Sequence, residues 1–62
     1  MPFQDDSILI EFYYVGDYVK VSAIDPRTNT EASIVGDPSV GEARLKQLAL
    51  QKLRYVLSKN SE

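Results

Sequence analysis

The chain has no cysteine and no histidine in 62 residues, and this limits its means of staying folded more than any other feature. Ordering a residue costs roughly 1.5 kcal/mol, and domains this small often recruit disulfides, a structural metal or a second subunit to offset it. Without cysteine there is no disulfide, and without either residue type there is no thiolate- or imidazole-based zinc, haem or iron–sulfur site. Burial of apolar side chains and self-association remain. The apolar fraction of 44% is too high for intrinsic disorder. With no room for a linker and a second unit, residues 1–62 are expected to form one small domain, ordered over about 7–58 with frayed ends. The lack of cysteine fits the cytoplasm.

Hydropathy patterning gives the elements. Ser7 to Val15 (SILIEFYYV) and Tyr18 to Ile24 (YVKVSAI) are rich in β-branched and aromatic residues and read as strands. Gly16-Asp17 between them suits a two-residue hairpin, glycine supplying positive φ. Asp25-Pro-Arg-Thr-Asn-Thr30 carries turn residues, Glu31 to Val35 is a third strand, and Gly36-Asp37-Pro38 ends it. Ser39 with Glu42 three residues later has the form of a capping box. A helix is expected from Val40 to Leu57, fraying over Ser58–Asn60. The fold class is α+β: a three-stranded antiparallel meander followed by one C-terminal helix.

Register follows from the loops. A two-residue turn pairs Val15 with Tyr18, Phe12 with Val21 and Ile10 with Ala23. Period-two alternation then gathers Ile8, Ile10, Phe12, Tyr14, Val19, Val21 and Ala23 on one face. An even second loop adds Ala32 beside Ala23 and Ile34 beside Val21. An odd loop would bury Glu31 instead, at the cost of desolvating a carboxylate.

Both layers carry surplus apolar surface. At about 100° per residue, apolar positions occupy well over half of the helix circumference, more than one three-stranded sheet can cover. The second sheet face carries further apolar side chains among Glu11, Lys20, Ser22, Glu31 and Ser33, and a cross-strand ion pair of Lys20 with the two glutamates is expected there. Exposed patches of this kind mark interfaces. Leu9, Tyr13, Val15 and Tyr18 on the sheet, and Leu48, Leu50, Tyr55 and Leu57 on the helix flanks, are the candidate contact residues for a homodimer or another protein partner. Helix packing, sheet-edge pairing and helix swapping are all compatible with the sequence.

Signals for chemistry are sparse. Nucleophilic catalysis lacks its usual base, and no catalytic residue, cofactor site or metal site is expected. Asp5-Asp6 reads as a solvated terminus, Asp25 with Asn29 as turn capping. The segment Gly36–Gly41 lacks a phosphate-binding lysine. No window is long and apolar enough to span a membrane, and the acidic start is unlike a signal peptide. Charge is polarised: residues 1–38 carry seven acidic and two basic groups, residues 39–59 one acidic and five basic. The alternative function is therefore a nucleic-acid-binding module using Arg44, Lys46, Lys52, Arg54 and Lys59. It is disfavoured by the acidic sheet half and by the spread of these cations around the helix.

The segments Tyr18-Val-Lys-Val-Ser-Ala-Ile-Asp-Pro26, Ser33-Ile-Val-Gly36 and Leu48-Ala-Leu-Gln-Lys-Leu-Arg-Tyr-Val-Leu57 together resemble a family of short alphaproteobacterial proteins catalogued as a domain of unknown function. The resemblance spans about residues 8–57. Where that family often has Thr-Gly-Thr, this chain has Thr28-Asn29-Thr30, and asparagine tolerates the left-handed region. The resemblance implies the fold and a bacterial origin, and it brings no catalytic residue.

Overall fold

A computed structural model describes residues 7–60. Strands β1 (Leu9–Val15), β2 (Tyr18–Asp25) and β3 (Thr30–Gly36) form an antiparallel sheet in the order β1-β2-β3. A 3₁₀ turn (Pro38–Val40) and helix α1 (Glu42–Asn60) follow. The expected α+β meander-plus-helix is the observed fold.

Both registers are as the loops require. Val15 faces Tyr18, Phe12 faces Val21 and Ile10 faces Ala23. Across the second hairpin, Val21 faces Ile34 and Ala23 faces Ala32. Gly16 takes φ 55° at the first turn position, a value that costs glycine nothing. In the four-residue loop, Asn29 takes φ 58°, the left-handed residue that returns the chain to β3.

The inner face of the sheet and one stripe of α1 enclose the core. Val19, Val21, Ala23 and Ala32 meet Leu45, Ala49, Leu50 and Leu53, with Ile8 closing one end. Ile10, Phe12, Ile34, Val56 and Leu57 pack around this centre. The buried helix positions from Leu45 to Leu50 span an arc of about 140°, what a small sheet can cover. The helix lies over β3 and β2 and reaches β1 least.

Three expectations are corrected. Ser39 does not cap α1. It lies in the 3₁₀ turn, where its N–H donates to Asp37 Oδ1 at 2.9 Å; that bond holds the Asp37 carboxyl below its usual range. Gly41 at φ 100° separates this turn from the helix, and its carbonyl accepts the first helical bond from the Leu45 N–H at 3.1 Å. Glu42, free of a capping box, accepts a 2.6 Å hydrogen bond from the Tyr14 hydroxyl. Ser58 to Asn60, expected to fray, continue the helix. The fraying expected at the N-terminus and the Asp5-Asp6 pair lie outside the described residues.

Candidate functional site

The outer face of the sheet is built from the other half of each strand's alternation. Reading across the strands from the β1–β2 turn, its rows are Val15 and Tyr18; Tyr13, Lys20 and Val35; Glu11, Ser22 and Ser33; and Leu9, Ile24 and Glu31. Helix α1 occupies the opposite face. Leu9 is 56% exposed, Tyr13 63%, Val15 46%, Tyr18 45% and Val35 65%. In the middle row the Ser22 and Ser33 hydroxyls bond each other at 2.9 Å, and Ser22 is buried between its taller neighbours.

Of the eight candidate contact residues, Leu9, Tyr13, Val15 and Tyr18 lie together on this face, and Val35 belongs with them. Strand parity places Val35 on this face, directly beside Lys20, though it is not among the candidate contact residues. The helix candidates divide. Tyr55 is exposed, Leu48 and Leu57 are half-buried, and Leu50 is inside the protomer's own core. At about 140° from Leu45, Leu50 lies at the border of the buried arc, on its inner side.

The expected ion pair of Lys20 with the glutamates is also revised. Directly across from Lys20 stand Tyr13 and Val35; Glu11 is a diagonal neighbour and Glu31 two rows distant. Among the described residues Lys20 makes no ion pair with either.

The basic residues of α1 serve different neighbours. Lys52 Nζ donates to the Ser33 carbonyl at 2.7 Å, and Lys59 Nζ lies 5.5 Å from the centre of the Tyr55 ring, within cation–π range. Arg44 and Arg54 border a shallow groove of about 290 Å³ with Gln47, Leu50 and Gln51. Lys46 is exposed.

One polar group lies in the core layer. Asp25 shares the parity of Val19, Val21 and Ala23 and is 1% exposed. Its Oδ1 accepts from the Arg27 N–H at 3.0 Å and from Arg27 Nε at 3.4 Å, while Oδ2 has no partner. Burial pushes this carboxyl up, but the Arg27 backbone, its guanidinium and the Thr28 hydroxyl outweigh that and hold it below the usual carboxylate range. The arrangement is an Asx-type turn drawn inward. No group of three or more acidic, cysteine or histidine side chains able to hold a metal occurs among the described residues.

Residues 5–60 match the family described as "Domain of unknown function (DUF6898)". The chain belongs to that family. No curated protein and no solved structure matches it. The DUF6898 match runs through all three strands and the helix, so the outer face belongs wholly to the family domain. No helix among the described residues of this DUF6898 chain is long and apolar enough to cross a membrane.

Proposed function

We propose that the chain is a non-catalytic, self-associating module whose contact surface is the outer face of its sheet. One observation carries the reading: five large apolar side chains on a single face of the sheet are 45–65% exposed, with the only α-helix of the described residues on the other side. Patches of that kind on a small protein serve binding, and a homodimer is the simplest occupant for a chain without disulfide or metal. The proposed setting is the bacterial cytoplasm; the family resemblance supports the first term and the cysteine-free sequence the second.

Light scattering across the micromolar range tests this. The expected mass is about twice the 7.0 kDa of one chain, falling on dilution. A constant 7.0 kDa overturns the proposal. Salt-dependent nucleic-acid binding weakened by Arg44→Ala and Arg54→Ala would replace it with the other function.

A further inference from the structure

The outer face has a pattern of its own along the strands, and the inference drawn from it rests on the self-association reading. Apolar side chains stand at both ends, Val15 and Tyr18 at one and Leu9 and Ile24 at the other; Lys20 and Glu11 occupy neighbouring middle rows. Two in-plane two-fold axes can lay such a face on a copy of itself. An axis along the strands keeps each row on its own counterpart. It sets Lys20 against the second copy's Lys20 and Leu9 against its Glu31, a like-charge contact and a mismatch. An axis across the strands reverses the order of the rows. Val15 and Tyr18 then cover the second copy's Leu9 and Ile24, and Lys20 comes over Ser22 beside Glu11. On β1 and β2 apolar meets apolar at both ends; in the middle Tyr13 comes over Glu11 and Val35 over Ser33, the opposite charges of Lys20 and Glu11 meet diagonally, and symmetry makes each of these contacts twice.

We propose that this face binds a second copy of the chain across a two-fold axis perpendicular to the strands, with Lys20 of each copy paired to Glu11 of the other. Stacked sheets lie about 10 Å apart, a gap that a lysine and a glutamate leaning toward each other close. The face measures roughly 23 by 14 Å from the rise of seven-residue strands and the spacing of three of them, a small footprint for a stable interface. The dimer is accordingly expected to dissociate in the micromolar range.

The test is a charge-swap mixture, read by native mass spectrometry and sedimentation, with circular dichroism confirming each fold. Lys20→Glu alone sets Glu against Glu across the axis, and Glu11→Lys alone sets Lys against Lys. Each is expected to weaken dimerisation about tenfold or more. Mixing the two variants restores both attractive contacts, so heterodimers should form with near wild-type affinity. Rescue by mixing cannot come from the diagonal Lys20–Glu11 contact within one chain. A dimeric wild type with indifferent single variants, or without rescue, overturns the axis and leaves self-association standing. If Lys20→Glu is rescued by the wild type while Glu11→Lys is neutral, the axis runs along the strands and the proposed one is overturned. A wild type that stays monomeric overturns both proposals. Should charge reversal disturb the fold, Lys20→Gln and Glu11→Gln in a double-mutant cycle on the dimer constant decide the same question: coupling between the two supports the pairing, and additivity overturns it.

Discussion

The two faces of the sheet are made by the same three strands and both carry apolar residues, at eight of eleven strand positions on the inner face and six of eleven on the outer, yet they end in different states. On the inner face Val19, Val21 and Ala23 are completely buried; on the outer face Tyr18 and Tyr13 are about half exposed or more. Alternation deals apolar residues to both sides, and only the side that receives the helix becomes a core. The difference teaches that burial here is set by the supply of covering elements as well as by the composition of the strands.

The largest break in that contrast is expected from Leu53→Ala, which hollows the inner layer at a fully buried position. Deleting such a side chain costs about 2–5 kcal/mol. At about 4–8 °C per kcal/mol for a domain of this size, the thermal midpoint followed by circular dichroism should fall by roughly 8–40 °C. Tyr18→Ser on the outer layer should do the reverse. The protomer's unfolding free energy from urea titration, measured at concentrations where it is monomeric, should change by less than about 0.5 kcal/mol, while the dimer constant weakens about tenfold.

Gly36→Ala comes next, because its new Cβ would stand 2.6 Å from Leu45 Cδ2. Leu45 is buried and has little room, so the cost is about 1–3 kcal/mol. Repeating the substitution in a Leu45→Ala background should remove most of it in denaturant titrations. Equal costs in both backgrounds would exclude the steric cause.

Two titrations sharpen the contrast at its edges. Asp25 has a folded-state pKa below its unfolded value. Its stabilisation is therefore present above about pH 3.9 and lost as pH falls through the folded value; Asp25→Asn should flatten that acid limb of the stability profile. Tyr14 is shifted the other way, raised by its hydrogen bond to Glu42, by desolvation and by the Glu42 charge. Its contribution is present below about pH 10 and lost as pH rises through the folded value. This is the smallest expected effect. In an ultraviolet titration Tyr14 should ionise late, and Glu42→Gln should move its ionisation to lower pH.

Much of this architecture is legible in the sequence. Loop lengths and parity suffice for both registers, because a slip of one residue would bury Glu31. The start of α1 is not legible: Ser39 and Glu42 have the spacing of a capping box, but Pro38 favours a separate 3₁₀ turn and Gly41 breaks the path between them. Asp25 escapes sequence reasoning although parity places it beside Val19, Val21 and Ala23, since the cost of burying a carboxylate argues against it and the compensating Arg27 N–H is a turn property. Leu50 reads as an interface residue because it lies where the apolar arc of the helix turns from inner to outer. On the candidate site, the sheet residues are legible from alternation alone, whereas the division of the helix residues depends on how α1 is rotated over β2 and β3.

The contact from Lys52 to the Ser33 carbonyl bears on what kind of assembly this chain can enter. It sets an ammonium beside β3, one of the two rims of the sheet, where an incoming strand of another molecule would have to add. A rim defended by a positive charge resists open-ended ribbon growth, so crowding many copies together should yield discrete particles in place of fibrils.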